Sequence, residues 1–348
     1  MYYVGADVHM RQSTVHILDG NGKLYKRFAV LGRWPELIRR IDAEVPPPFT
    51  ICYEATCGYG YLYEQLAPRA QRVVVAHPGE LRLIFRSKQK HDRIDAKKIA
   101  TLLFLDSVPA VYVPARDTRQ WRALIEFRQR LVARQVAVKN QLQALLREQA
   151  IVAPKNLWHG PGRRWLQALP LTDADGVRRD LLLEEWGQQD EKLRRLGRRL
   201  RHMADGHPGV RLLCTIPGVG LRTAEAFLAY VDDVRRFGRQ RGVGDYFGLV
   251  PCQDASGPRN RLGHITRQGP RTVRKLLVEA SWMGIRRSPT LRQYFERISH
   301  GTAERRKIAI VAVAHHLAHV MVAMLRRGEA WRETAPTTVA GRGRLIRC

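Results

Sequence analysis

The stretch YYVGADVHMRQSTVHILDGNGKLYKRFAV, residues 2–30, decides how the chain begins to fold. It holds three β-rich runs, at 2–8, 13–18 and 24–30, with Asp19-Gly20-Asn21-Gly22 between the last two. Glycine and asparagine accept the positive φ of tight turns, so the runs read as hairpins. Trp34, Leu37, Ile38 and Ile41 then recur at helical spacing, which predicts a helix over 34–43 that Pro46-Pro47-Pro48 stops. A buried strand is expected at 49–54 (FTICYE), a helix at 59–67, a strand at 72–76 (RVVVA), a helix at 92–105 and a short strand at 109–113.

Three antiparallel strands followed by helix–strand–helix–strand–helix is the element order of an α/β, ribonuclease-H-like domain. Four acids fall at telling places in it. Asp7 lies within the first strand, and Glu54 ends the fourth. Asp92 and Asp95 open the last helix at i and i+3, so they share a face. A lone carboxylate in an apolar strand is costly to bury without a partner. Oxygen donors suit Mg²⁺ or Mn²⁺, and two such ions roughly 3.5–4 Å apart stabilise both oxygens of an in-line displacement at phosphorus. Asp92 and Asp95 have a second reading as acids that offset the helix dipole, in which one of them is a cap only. Lys88, Lys90, Arg93, Lys97 and Lys98 surround the pair and would draw in a phosphate backbone.

The formal net charge is +28. It is unevenly spread: residues 1–115 hold 16 Lys and Arg against 11 Asp and Glu, and the remainder 44 against 21. A polycation of this kind has nucleic acid as its default partner, with affinity that falls steeply with salt. Carboxylates near DNA repel it unless a cation lies between them, so acids in this setting point to metal-dependent chemistry on phosphodiesters. No apolar run suggests a membrane span, no basic amphipathic anchor stands out, and the start lacks a signal-peptide pattern. A cytoplasmic, nucleoid-associated protein is expected. Five scattered cysteines without a CxxC pair indicate neither a disulfide framework nor a zinc site.

Four regions are expected: 1–115, a helical region 116–206, a mainly α region 207–330, and a tail 331–348, disordered from Thr334. Leu124, Leu131, Val138 and Leu145 repeat every seven residues, with Trp121, Phe127 and Leu142 widening the stripe. Leu182, Trp186, Leu193, Leu196, Leu200 and Met203 make a second seam, interrupted by Gln189. The two seams fit an antiparallel coiled-coil hairpin or an oligomerisation arm as well as a plain helical bundle. Arg194, Arg195, Arg198, Arg199 and Arg201 give one face a single sign, which favours contact with nucleic acid. Residues 215–224 (TIPGVGLRTA) resemble a helix–hairpin–helix turn, in which Gly218 and Gly220 let backbone N–H groups approach a phosphate; a helix–helix turn without a ligand is the alternative. A polar loop is expected over 252–270, then a helix at 271–286 and another at 303–326. The loop carries Ser256 with Arg259, Arg261 and Arg267 behind it, and Arg271, Arg274 and Lys275 open the next helix. A serine hydroxyl needs a base or metal to become a nucleophile, and Ser-Gly alone is a turn dipeptide. His315, His316 and His319 share a late helix with no acid or cysteine to complete a zinc site.

Asp7, Glu54 and Asp92-x-x-Asp95 resemble the DEDD set of bacterial insertion-sequence transposases. Those enzymes join a Holliday-junction-resolvase-like (RuvC-like) domain to a C-terminal transposase domain, and Piv-type DNA invertases are similar. The C-terminal region carries the resemblance too, in IPGVG (216–220), RRF (235–237), YFGLVP (246–251), SG (256–257), GHITRQG (263–269) and RKLLVEASW (274–282). Ala255 stands where a second serine is common in the family. The resemblance implies that Ser256 attacks a DNA phosphate through a transient phosphoserine link, with Mg²⁺ on the DEDD acids. It further implies a dimer or tetramer whose composite site draws on different subunits, and a bridge RNA that pairs with donor and target DNA. The competing expectations are a structure-selective nuclease that uses water, a DNA invertase, and a non-catalytic binder whose acids are caps.

Overall fold

A computed structural model describes residues 1–56, 58–84, 92–238, 242–256 and 259–333, with the side chains of 92–94, 255–256 and 259–260 outside the description. Lys88, Lys90 and the tail from Thr334 therefore lie outside the described residues. The chain forms two compact units, Met1–Arg116 and Asp117–Cys348.

The first unit is a mixed five-stranded sheet between helices. Its elements are β1 (Tyr2–Val8), β2 (Gln12–Leu18), β3 (Leu24–Leu31), α1 (Trp34–Glu44), β4 (Phe49–Glu54), α2 (Tyr59–Leu66), β5 (Arg72–Ala76), α3 (Pro78–Ile84) and α4 (Asp92–Phe104). The strand order is β3-β2-β1-β4-β5, antiparallel among the first three and parallel from β1 through β4 to β5. Side-chain alternation divides the strands between two cores. Val4, Ala6, Val8, Ile51, Tyr53 and Val75 pack with Leu37, Ile38 and Ile41 of α1 and Leu62 and Leu66 of α2. On the other face Cys52, Val74 and Ala76 pack with Ile99 and Leu103 of α4 and Leu81 of α3. Burial pushes the Cys52 thiol up to about 12.

The expected strand at 109–113 reduces to a single bridge, Ala76 to Ala110. Pro109 has no N–H to give a ladder; its carbonyl accepts from His77 N (2.8 Å), and Val111 N donates to Val75 O (2.8 Å). Helix α3 was not expected, because its seven residues are too few to show a period.

The second unit is helical apart from one hairpin. It contains α5 (Arg116–Glu148), α6 (Gly160–Ala168), α7 (Asp173–Asp205), α8 (Pro208–Leu213), α9 (Leu221–Val231), α10 (Gly242–Tyr246), β6 (Pro251–Ser256), β7 (Arg259–Ile265), α11 (Arg271–Arg287), α12 (Pro289–Ser299) and α13 (Arg306–Arg327). The long helices α5 and α7 run antiparallel. Gln149 donates to Asp175 (2.7 Å) and Gln135 to Asp190 (3.4 Å), while Trp121 and Ile125 share a core with Leu200 and Ala204. At the far end Val138, Leu142, Leu183 and Trp186 close over Leu166 of α6, and the Lys139 ammonium sits 5.1 Å from the Trp186 ring. Phe127 departs from the expected stripe and is 42% exposed. Half-buried Arg128 takes the inward place instead, beside the buried Glu225 carboxylate that Arg222 grips at 2.9 Å.

Leu200 and Ala204 of α7 also belong to the core built by α8 to α13, so the seam helices and the C-terminal helices are one unit. Helix α13 is long and apolar enough to cross a membrane, contrary to the sequence expectation. Its Ala314, Leu317, Ala318, Met321 and Val322 are buried at the centre of this core, which accounts for the apolar composition. The polar segment expected as a loop over 252–270 contains the β6–β7 hairpin, paired Gln253–Leu262, Asp254–Arg261 and Ser256–Arg259. Its described side chains are mostly exposed, and no apolar alternation marks it in the sequence.

Candidate active site

The register of two neighbouring strands brings the first two acids together. β1 and β4 pair in parallel up to Ala6–Tyr53, so Asp7 and Glu54 leave the ladder side by side at the C-terminal edge of the sheet. Both fall on the face covered by α4, because Gly5 and Cys52 pair on that face two residues earlier. Helix α4 lies antiparallel to β1: the Phe104 ring meets Tyr3 edge-on at 5.2 Å, and Ala96 and Ala100 press on Gly5. Its first turn, with Asp95, therefore lies over the Asp7 end of the strand.

Gly5 makes that approach possible. A Cβ at Gly5 would stand 2.8 Å from the Cα of Ala100 and would run into Ala100 N and Ala96 O. The buried Ala96, Ile99, Ala100 and Leu103 form the contact face, small where the helix is closest.

Trp34 holds the loops that follow both acid-bearing strands, a role not visible in the sequence, where it reads as one more core residue of α1. Its Nε1–H donates to the His9 carbonyl (3.2 Å), just after β1. Its ring covers Gly58 after β4, where φ is +83° and a Cβ would come within 2.7 Å of Cζ2. Thr56 N donates to Glu54 O (2.8 Å) and turns the chain sharply at the acid.

Asp7 and Glu54 are half-buried, and Asp95 is 32% exposed. His9 Nε2 stands 3.4 Å from Asp7 Oδ1, and Lys98 Nζ 3.8 Å from Asp95 Oδ1. The Asp-x-His spacing is the signal that could have singled out His9. Among the described residues no three His, Cys, Asp or Glu side chains gather closely enough to cage an ion. Asp92 begins α4, and its side chain is outside the description, as is that of Arg93. The donor chemistry of Asp7, Glu54 and Asp95 is all oxygen, which suits a hard divalent cation.

In the second unit Ser256 ends β6, paired with Arg259. Arg261, Arg267 and Arg271 are exposed around the hairpin, and Arg267 has φ of 56°. Lys97 is exposed on α4, and exposed Lys275 stands 3.7 Å from Glu279. Arg274 is turned inward, its Nη1 donating to Phe247 O (2.9 Å) and Gln268 O (3.1 Å). Gly218 has φ of +93° and faces α11, where a Cβ would stand 2.6 Å from Ala280 O; Gly220 faces open space as the N-cap of α9. The late histidines make ring contacts: His316 stacks on Tyr294 at 4.5 Å and His315 meets His319 at 4.2 Å.

The sequence matches known families over both units. Residues 4–150 match the DEDD transposases of IS110 type, and residues 210–296 match the transposase IS116/IS110/IS902 family. The chain is 26% identical over 298 residues to a probable family 20 transposase of Pseudomonas aeruginosa, covering 82% of the chain and 86% of that protein. It is 27% identical over 293 residues to the transposase for insertion sequence element IS1111A of Coxiella burnetii, covering 81% and 79%. It is 26% identical over 288 residues to the transposase for insertion sequence element IS1328 of Yersinia enterocolitica, covering 80% and 82%. With both of its units matched in this way, the chain belongs to the IS110 family of DEDD transposases.

Proposed function

We propose that this transposase breaks and rejoins DNA strands through a serine nucleophile supported by a divalent metal, in a ribonuclease-H-like, RuvC-like first unit and a serine-bearing second unit. The observation that carries the reading is the placement of Asp7 and Glu54 side by side at the ends of parallel strands, under the first turn of α4. Asp7, Glu54, Asp92 and Asp95 are the residues that would hold the metal. Mg²⁺ or Mn²⁺ bound there supplies positive charge to the phosphate oxygens as negative charge builds in the transition state. Ser256 Oγ attacks phosphorus, loses its proton, and displaces a deoxyribose oxygen that leaves with a proton. A hydroxyl of the second strand then attacks the phosphoserine, restores Ser256 and seals the new junction. No external energy source is needed, because each phosphodiester broken is replaced by another ester bond.

Beyond position 115 the chain holds 44 basic against 21 acidic residues, which suits a protein that holds both donor and target DNA together with a structured bridge RNA. Base pairing by that RNA supplies the choice of sequence. The protein works as a homo-oligomer in the bacterial cytoplasm. Lys97, Arg261, Arg267 and Arg271, which are exposed, are contacts for the phosphate backbone in this reading, as are Lys88, Lys90, Arg93, Arg259 and Lys275.

Suicide DNA substrates that trap the covalent step provide the test. Wild-type protein gives SDS-stable protein–DNA adducts with Mg²⁺ and none with EDTA. Ser256→Ala gives none. Adducts that persist in Ser256→Ala overturn the serine reading and point to another nucleophilic side chain, whereas Mg²⁺-dependent cleavage by the wild type with no adduct leaves a nuclease that uses water. Full Mg²⁺-dependent activity in Asp7→Ala or Glu54→Ala overturns the metal site.

A further inference from the structure

We propose that Arg274 is a positioning residue that aims the serine-bearing hairpin, and not a phosphate contact; this rests on the reading of Ser256 as nucleophile. The hairpin has little else to fix its direction. Gln253, Asp254, Arg261, Leu262, Gly263 and His264 are exposed, so among the described side chains of the strands none is buried in a core. Its hold on the unit is at its base, where the entering chain (246–250) crosses the leaving chain (266–269).

Two left-handed glycines permit that crossing. A Cβ at Gly248 (φ +61°) would stand 2.5 Å from Gln268 N, and one at Gly269 (φ +77°) would run into Tyr246 O. Thr266 N donates to Val250 O (2.9 Å), Arg267 N to Gly248 O (3.3 Å) and Leu249 N to Gly244 O (3.0 Å). Arg274, in the first turn of α11, spans the crossing. Its Nη1 donates to Phe247 O on the entering side and to Gln268 O on the leaving side. Phe247 is itself fully buried against Phe227, at 5.4 Å between rings. One guanidinium thus ties both legs of the hairpin to a helix of the core. It does so despite burial and the neighbouring Arg267 and Arg271, which press its pKa below the ordinary value. Both bonds come from the one Nη1, whose two N–H groups serve one carbonyl each; a lysine ammonium has donors enough, but its nitrogen ends one bond nearer the backbone.

The geometry makes the base a lever. Six strand residues span roughly 20 Å, so a tilt of about 5° at the base moves the Ser256 end by roughly 1.7 Å. Misplacement by roughly 1 Å can cost about 10²-fold in rate.

The test uses full-length protein with Mg²⁺, a plasmid carrying the chain's gene and its flanking DNA, and RNA transcribed from that flanking DNA. Arg274→Met is expected to slow adduct formation at saturating plasmid by at least about tenfold, with plasmid affinity changed less than about twofold. Arg274→Lys restores part of the rate. Hydrogen exchange at Leu249, Thr266 and Arg267 quickens in Arg274→Met while α13 stays protected. An unchanged adduct rate overturns the proposal. So does a loss that follows affinity, which marks a phosphate contact, or exchange that rises equally in α13, which marks general support of the fold. Should Ser256→Ala still form adducts, the serine reading falls on its own, and the exchange pattern still decides what Arg274 holds.

Discussion

Gly5→Ala tests the packing that sets the acid site. The added methyl would lie 2.8 Å from the Cα of Ala100 and closer still to Ala100 N and Ala96 O, all backbone atoms that no rotamer change can move. Carbon atoms prefer about 3.5–4.0 Å, so relief requires α4 to lift from β1 by roughly 1 Å. Overpacking of this kind costs about 1–3 kcal/mol. In a unit of this size each kcal/mol lowers the melting temperature by about 4 °C or more, so a fall of roughly 4–15 °C is expected in the transition of the first unit. The lift also carries Asp95 away from Asp7 and Glu54. A displacement of roughly 1 Å at a reacting site is worth about 10²-fold in rate, so Mg²⁺-dependent cleavage should drop further than stability alone explains. Calorimetry measures the first effect. Cleavage of suicide DNA at a temperature where the variant is fully folded measures the second. A Gly5→Ala protein that melts and cleaves like wild type would refute the close approach of α4 and the site built on it.

Two glycines of the 214–220 turn should behave oppositely. Gly218→Ala places a Cβ 2.6 Å from Ala280 O at φ of +93°, so the melting temperature of the second unit should fall by several degrees, whereas Gly220→Ala enters open space and should shift it little; equal effects would contradict the packing role of Gly218. Acid should weaken the second unit through its histidines. Burial holds His207, His315 and His316 below their unfolded value of 6.5, with Arg297 and His315 adding to the effect at His316. Their contribution is fully present above 6.5 and is lost as pH falls through the folded values, so the melting temperature should drop as pH falls below about 6.5. His316→Phe, which keeps the stack on Tyr294, should flatten that slope, and an identical slope in the variant would count against the assignment.

How much of this was legible in the sequence follows from where each residue's neighbours lie. β1 to β5 and the helices between them were readable because both faces of the sheet are covered. Apolar runs such as YYVGADV and RVVVA then mark the strands, and Trp34, Leu37, Ile38 and Ile41 mark α1 by period. The pairing of Asp7 with Glu54 was readable only as position, one within the first strand and one ending the fourth. Their adjacency depends on the parallel register of β1 with β4, which is set by contacts far apart in sequence. The hairpin that bears Ser256 escaped for the opposite reason: none of its described side chains is buried, and its pairing uses backbone hydrogen bonds that any sequence can make.

Gly218 and Arg274 were read as residues for nucleic acid, and both are used where backbone meets backbone. The two uses share a physical basis. A missing Cβ lets a phosphate approach a loop, and it equally lets a helix approach one. A guanidinium offers several donors to phosphate oxygens, and the same donors suit a pair of carbonyls. Charge and residue type therefore fix what a side chain can bind, whereas direction is fixed by the packing around it. In a chain with 60 lysines and arginines, excess charge alone cannot mark which cations face DNA. Arg274 donates to two carbonyls of its own unit, whereas Arg261, Arg267 and Arg271 beside it are exposed, and that difference in packing is what separates the two roles proposed for them.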